Sequence, residues 1–315
     1  MRTVSWHRLD MHLRRLLVSV AVCLLTAAAH AASCPPPLPN PTDSAAPRDR
    51  GLLWKATRDG RSLFLYGSLH VGKPQWRQLG PVTAAALRSS DTLALEVDPN
   101  DPEVLKAMNE MRHPREVPAE LQQRLVKAFE RACLATEALA TLHPVLQATT
   151  LTMMEARWLG MDSGYATEQV LIAAAKPPSR KLVALESALQ QLQALVPAED
   201  ADANTLLEQS LQQLEDQSAR RVLARLAVAW EEGNLAVLEA YDQWCECADT
   251  EDDRAAMRKM NDERNVGLAA GIAAQHQAGR RVFAAVGALH MTGPQSLPKL
   301  LTHLGYKVER VPFRR

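Results

Sequence analysis

The chain has 315 residues, and its 36 Lys and Arg residues are balanced by 36 Asp and Glu residues. Hydrophobic residues make up 47% of the sequence and charged residues 23%, a composition typical of a globular protein and too apolar for a disordered one. No basic tail or stripe interrupts this balance, so we expect no nucleic-acid partner.

Residues 1–31 are predicted to be a secretory signal peptide. Several early arginines precede the apolar run Leu16–Leu25, and small residues follow up to Ala31, which is the order of segments in such a signal. The apolar run is short for a bilayer span, which needs about 20 residues. We therefore expect a periplasmic or secreted protein with no transmembrane span after cleavage. A lipid anchor on Cys34 is the less favoured alternative, because the residues before it lack the usual leucine.

A proline-rich linker and then a β-hairpin are predicted next. Residues 32–50 contain six prolines, which cannot join a helix or a central strand and indicate an extended linker. A single domain is predicted over 51–315. It begins with two strands, 52–57 and 62–66, that meet at a turn containing Gly60.

The rest of the domain combines a few short strands with many helices. In chain order the patterns predict a helix at 80–89, a strand at 92–97, mostly helix over about 100–278 with one core strand near 181–186, a strand at 281–288, a helix at 297–304 and an edge strand at 306–312. Short strands alternating with helices predict an α/β (α+β) fold. Its small, mostly parallel sheet is built from the N- and C-terminal halves, and the helices form a large insertion.

Four cysteines remain after signal cleavage: Cys34, Cys133, Cys245 and Cys247. An oxidising compartment favours disulfide bonds, and four cysteines allow three pairings. Cys245 and Cys247 flank one residue in a stretch with a helical pattern, which is poor geometry for a bond between them. We therefore expect one of them to pair with Cys133. A Cys-x-Cys metal site has little support, because no histidine or second cysteine pair is near it.

Four apolar strands each deliver a His or Glu directly after the last buried residue. His70 and His290 close two Gly-x-x-His sequences, and Glu96 and Glu186 end the other two strands. A single residue of this kind is more often a surface or hydrogen-bonding group. Two Gly-x-x-His sequences in matching contexts favour a shared site, because parallel strands bring their carboxyl ends to one edge. Imidazoles with carboxylates suit a divalent metal ion that activates water.

Several of these segments together resemble the TraB/GumN family, which includes the Tiki metalloproteases and is related to the erythromycin esterase and ChaN-like groups. The similar segments are 53–55, 66–72, 90–98, 162–165, 185–186, 263–265 and 286–293, in the family order and at about the family spacing. The resemblance implies a metal-dependent hydrolase scaffold whose functional core is His70, His290 and Glu96. It also puts Glu186 and Arg264 at family-like positions.

Two departures from the family pattern concern the site. Ser68 stands where the family usually has threonine, so a hydroxyl is kept. After Tyr165 the family tends to have Gly-Val-Asp, whereas this chain has Ala166-Thr167-Glu168. The carboxylate of Glu168 is one methylene longer and could still serve in the site.

The resulting hypothesis is a peptidase-like hydrolase that uses a divalent metal ion, with Mn, Zn, Co and Fe all compatible. Its substrate would be a peptide or another small molecule. His70, His290 and one or both of Glu96 and Glu186 would hold the ion. A remaining carboxylate, Glu96 or Glu168, would take a proton from water as the general base. Arg264 is always protonated, so it would stabilise an oxyanion or anchor a substrate carboxylate. Its alternative is a salt bridge on its own helix.

A second hypothesis comes from another class of protein. The same strand-end pocket could belong to a non-catalytic periplasmic binding protein for haem, a metal or a peptide signal. Both hypotheses predict the same fold and the same residues. They differ in whether the metal keeps an open position for water beside a base.

Overall fold

The fold is built on a six-stranded sheet with the order β4-β3-β5-β2-β1-β6. In chain order the strands are β1 Leu52–Arg58, β2 Arg61–Ser68, β3 Thr92–Leu95, β4 Lys181–Ala184, β5 Val282–Gly287 and β6 Lys307–Arg310. The computed structural model describes residues 34–40, 46–99, 101–111, 116–176 and 179–313. The predicted signal peptide lies outside these residues. The predicted α/β class with a mostly parallel sheet is confirmed, and residues from Pro35 onward form one compact unit.

Four of the strands are parallel, and this sets where the site can form. β3 pairs in parallel with β4 and with β5, and β5 pairs in parallel with β2. β1 is antiparallel to both β2 and β6, so the antiparallel part of the sheet lies at the end formed by β1 and β6. The carboxyl ends of β4, β3, β5 and β2 therefore lie side by side at one edge, where α/β proteins build their sites.

The sequence explains the strands locally. Asp59 and Gly60 both have positive φ, 51° and 72°, which suits the two-residue turn between β1 and β2. The central strand β5 has the sequence Val-Phe-Ala-Ala-Val-Gly, and all but its last residue are buried. A strand covered on both faces reads as a continuous apolar run rather than an alternating one.

Helices cover the sheet and form the insertion. They are α1 Pro81–Arg88, α2 Pro102–Glu110, α3 Ala119–Ala132, α4 Pro144–Met154, α5 Thr167–Ala175, α6 Ala188–Leu195, α7 Asp200–Glu215, α8 Ser218–Glu231, α9 Leu235–Glu239, α10 Glu251–Arg258, α11 Arg264–Gln277 and α12 Leu297–His303. A π-helical turn, Lys259–Glu263, joins α10 to α11. Among the residues described, no helix is long and apolar enough to cross a bilayer.

The structure has two hydrophobic cores. The larger one surrounds the sheet and includes fully buried residues of β2 and β5 such as Leu65 and Phe283. The smaller one lies within the helical insertion, where α3, α4 and α7 pack through residues such as Leu125, Leu151 and Leu211. Burying a large aliphatic side chain stabilises the folded state by about 1.5–3 kcal/mol. The sheet and the helical insertion are therefore each stabilised by a core of their own.

The expected pairing of Cys245 or Cys247 with Cys133 is wrong. Cys245 and Cys247 form a disulfide bond with each other. The expectation assumed a helix at these residues, but they lie in a turn after α9, and Glu246 between them takes a left-handed conformation with φ 55°. That conformation turns the chain sharply enough to bring the two sulfur atoms together.

Candidate functional site

The structure brings His70, Glu96 and His290 around one point at the carboxyl edge of the sheet. The position that a Cβ atom would take on Gly287 lies 3.3 Å from Glu96 Oε1, 3.4 Å from His290 Cδ2 and 4.0 Å from His70 Nε2. Because residue 287 is glycine, this small cradle stays open between the three side chains. Glu186 and Arg264 join the group through Glu96, and Glu168 joins it through His70.

His290 is held in one tautomer by Asn265. The amide nitrogen of Asn265 donates to the carbonyl oxygens of Gln295 at 2.9 Å and His290 at 3.4 Å, which turns its Oδ1 atom toward the ring. Asn265 Oδ1 lies 2.7 Å from His290 Nδ1, so Nδ1 carries the proton and donates it. Nε2 therefore keeps its lone pair and faces the site, the arrangement found in metal-binding histidines.

His70 is held by Glu168. Backbone hydrogen bonds connect the two segments that carry these residues. The N–H and C=O groups of Gly72 bond to Asp162 at 3.0 and 2.9 Å, and Thr167 N–H donates to the Leu69 carbonyl at 2.9 Å. These bonds bring the first turn of α5 beside the loop after β2. Glu168 Oε1 then lies 3.2 Å from His70 Nδ1.

Ser68 completes this contact. Its hydroxyl donates to Glu168 Oε1 at 2.5 Å. The other carboxylate oxygen, Oε2, is buried and has no hydrogen-bond partner among the residues described. The hydroxyl at position 68 therefore orients Glu168 toward His70.

Glu96, Glu186 and Arg264 form a buried ion cluster. Glu186 lies beside Glu96 because its N–H donates to the Glu96 carbonyl at 3.0 Å, continuing the pairing of β3 and β4. Arg264 donates to Glu96 Oε2 at 2.6 Å and contacts both oxygens of Glu186. The side chains of the three residues are only 8–12% exposed. The alternative that Arg264 pairs within its own helix is not what the structure has.

The site has one solvent-exposed member. The His70 side chain is 58% exposed, whereas that of His290 is 6% exposed. His70 is therefore the member of the cluster that solvent reaches most easily.

The neighbouring charges shift the pKa values of the site in opposite directions. The Glu168 charge, opposed by burial, raises the pKa of His70 to about 9. Burial lowers the pKa of His290 to about 4, although the charge of Glu96 opposes this. Burial alone would raise the pKa of Glu96, but the charges of His290, His70 and Arg264 and the N–H of Gly287 outweigh it and lower the pKa to about 2. Glu96 is therefore ionised, and His290 is neutral, at physiological pH.

Two residues of the site were not predicted from the sequence. Asn265 follows Arg264 on α11, and Gln191 on α6 donates to Glu96 Oε2 at 3.2 Å and Glu186 Oε1 at 3.4 Å. Neither lies in a strand-end motif, and a single amide on a helix carries no signal of its own. Only the position of Asn265 beside Arg264 in a family-like segment pointed toward the site.

The imidazole and carboxylate groups of the site are of the types that bind divalent metal ions. They are not arranged as a complete set of ligands. Over the described part of the chain, no three His, Cys, Asp or Glu side chains are grouped closely enough to hold an ion as they stand. Arg264 accounts for this, because it bonds the carboxylates of Glu96 and Glu186. The lone pair of His290 Nε2 has only a contact of 3.4 Å with Arg264 Nη1. Even so, the two imidazoles and the Glu96 carboxylate lie around the same open space at Gly287.

A known protein family is similar to this chain over most of its length. The model of the TraB/PrgY/gumN family matches residues 52–310, which include every residue of the site. No match is found among curated proteins or among solved structures. The resemblance seen in the sequence is thereby confirmed at the level of the family.

Proposed function

The chain belongs to the TraB/PrgY/gumN family, and from this premise we propose that it is a metal-dependent hydrolase that acts on peptides. The observation that carries the proposal is the cradle at Gly287, around which Glu96 and both Gly-x-x-His histidines lie within 4.0 Å of one point. Two imidazoles and a carboxylate with room for one more ligand are the donor set of many hydrolytic metal sites.

We assign His70, His290 and Glu96 as the residues that would hold the ion. The fit rests on the open cradle and on the His290 tautomer, in which Asn265 leaves Nε2 free to ligate. The pKa of Glu96, near 2, suits a permanently ionised ligand. Glu186 stays a candidate ligand, but Arg264 holds both of its oxygens in this arrangement. When bound, the ion would lower the pKa of a water molecule and polarise the substrate carbonyl.

The other residues would move the proton and balance charge. An efficient general base has a pKa nearer to the working pH than that of Glu96, and Arg264 holds both oxygens of Glu186. We therefore assign proton acceptance to Glu168, which lies against the exposed His70. Arg264 offsets the charge of the two buried carboxylates, and its guanidinium is the candidate to stabilise an oxyanion.

Elemental analysis of the purified protein tests the proposal. We expect near-stoichiometric Mn, Zn, Co or Fe in the parent protein and its loss in a folded His70→Ala, His290→Ala double variant. The matched control is His303→Ala, which changes an exposed histidine of α12. The proposal would fail if no metal bound after reconstitution with each of the four ions.

A second function is favoured by the ion cluster itself. Arg264 already pairs with both Glu96 and Glu186, so these buried carboxylates have a cationic partner without a metal ion. A non-catalytic binding protein for haem, a metal or a peptide signal would be consistent with this. Metal-dependent cleavage of peptides that is lost in Glu168→Ala, while the metal stays bound, would decide for the hydrolase.

A further inference from the structure

A groove of about 570 Å³ lies directly beside the candidate site. Helix α2 forms one side, and the end of β4 with the first residues of α6 forms the other. Glu186 belongs to both the groove and the ion cluster, so the groove adjoins the site at this residue. Its volume is in the range of natural ligand pockets, which is about 300–1,000 Å³.

The length of the groove suits a short extended peptide. Residues from the first to the last turn of α2 line it, and α2 has nine residues. At about 1.5 Å per residue this helix is about 14 Å long. An extended chain rises about 3.3 Å per residue, so about four residues of a peptide would lie along α2.

The lining combines apolar side chains with an excess of negative charge. Val97, Val104, Ala107 and Leu189 supply apolar surface. The charged residues on the α2 side are Asp101, Glu103, Glu110 and Lys106, and Lys106 is paired with Glu103 at 3.0 Å. Glu186 at the inner end is paired with Arg264, and the other negative charges of the groove lie on the α2 side.

We infer that this groove is the substrate cleft, that it binds about four residues of a peptide in extended form, and that it selects Lys or Arg side chains next to apolar ones. The inference rests on the proposed function for the identity of the site. The selection itself follows from charge complementarity with Asp101 and Glu110 beside an apolar surface.

Binding of labelled peptides tests the inference without requiring cleavage. Three fluorescein-labelled octapeptides are compared by fluorescence anisotropy: alternating Leu-Lys, Leu-Glu and Leu-Ser. We expect the Leu-Lys peptide to bind most tightly, and its affinity to fall when salt is raised from about 50 to 300 mM, because ions screen charges at the surface.

A pair of matched variants locates the preference. Asp101→Asn with Glu110→Gln removes two negative charges from the groove, and Asp101→Asn keeps the oxygen that accepts from Glu103 N–H. Glu120→Gln with Glu130→Gln removes two charges from exposed positions of α3, outside the groove. We expect the first variant to bind the Leu-Lys peptide about three- to tenfold more weakly and the second to bind it like the parent.

The outcomes separate the groove from the proposed function. No peptide binding, equal binding of the Leu-Lys and Leu-Glu peptides, or equal weakening by the two variants would overturn the inference. Selective binding without cleavage in the presence of any metal ion would support the groove inference and contradict the hydrolase proposal. Metal-dependent cleavage without a charge preference would support the hydrolase proposal and contradict the groove inference.

Discussion

The two histidines of the site differ in their partners, and this shifts their pKa values in opposite directions. His290 donates to the neutral amide of Asn265 and is buried, so its pKa is lowered to about 4. His70 faces the carboxylate of Glu168, whose charge raises its pKa to about 9. In the unfolded chain both would titrate near 6.5.

These shifts predict that the metal-free protein is most stable near pH 6.5. As the pH falls from 6.5 to 4, the unfolded chain binds a proton at position 290 before the folded chain does. Stability then falls by up to about 1.4 kcal/mol per pH unit. As the pH rises from 6.5 to 9, the contribution of the charged His70 is lost. This effect is smaller, because the exposed side chain is screened by solvent.

Thermal unfolding after chelation, measured between pH 4.5 and 9, checks the prediction. This range avoids the separate loss expected from Glu96, whose folded pKa near 2 removes stability only as the pH falls below about 4.5. His290→Gln should flatten the acid side of the curve, Glu168→Gln the alkaline side, and His303→Gln neither. An unchanged acid slope in His290→Gln would contradict the assignment of a buried neutral imidazole.

At the scale of elements, the site depends on how the chain leaves β5. Gly287 has φ −46° and ψ 140°, which any residue can adopt, so the glycine is not required by the backbone. It is required by space, because a Cβ atom there would crowd Glu96 and His290. The glycine of the second Gly-x-x-His motif therefore keeps the cradle open.

Gly287→Ala should reduce metal affinity at least tenfold while the fold is kept, because the methyl group fills the cradle at a cost of about 1 kcal/mol in stability. Gly267→Ala is the matched control. It lies on the exposed face of α11 with open space around it, and should stabilise the helix by about 0.5–1 kcal/mol. Competition with a chelator measures affinity, and urea unfolding measures stability. Equal affinities of Gly287→Ala and the parent would show that the ion does not use the cradle.

The disulfide bond between Cys245 and Cys247 also belongs to a single element, the turn after α9. The ring between Cys245 and Cys247 contains three residues, so it restricts the unfolded chain only slightly. Replacing both cysteines with alanine should lower the free energy of unfolding by about 1.5 kcal/mol. Urea unfolding checks this value. A loss above about 4 kcal/mol would mean that the bond supports packing well beyond its turn.

The elements and the site differ in how far the sequence predicts them. Strands such as β2 and β5 are readable because burial on both faces requires continuous apolar runs. The strand-end residues His70, Glu96, Glu186 and His290 meet because parallel pairing brings their strands to one edge. Asn265 and Gln191 were not predicted, since a single amide on a helix carries no signal of its own and the bonds of both amides depend on how the helices pack against the sheet edge. The turn at Glu246 was missed because a left-handed glutamate has no sequence signal.

At the scale of the whole molecule, the site and the smaller core are separate. The site stands on the sheet, whose core includes Leu65 of β2 and Phe283 of β5. The smaller core joins α3, α4 and α7, and none of the site residues named above is a member of it. Changes in non-contacting regions are usually additive, so damage to the smaller core should leave the site geometry intact.

Leu211→Ala and Leu65→Ala test this separation, since both leucines are fully buried. Each should lower the free energy of unfolding by about 2–5 kcal/mol through the lost contacts and the cavity left behind. Leu65 lies on β2, the strand that delivers Ser68 and His70, whereas Leu211 lies on α7. The pKa of His290, followed by NMR, should stay near 4 in Leu211→Ala and rise toward 6.5 in Leu65→Ala, because a loosened sheet admits water to the buried ring. Equal shifts in both variants would show that the insertion and the sheet act as one cooperative unit around the site.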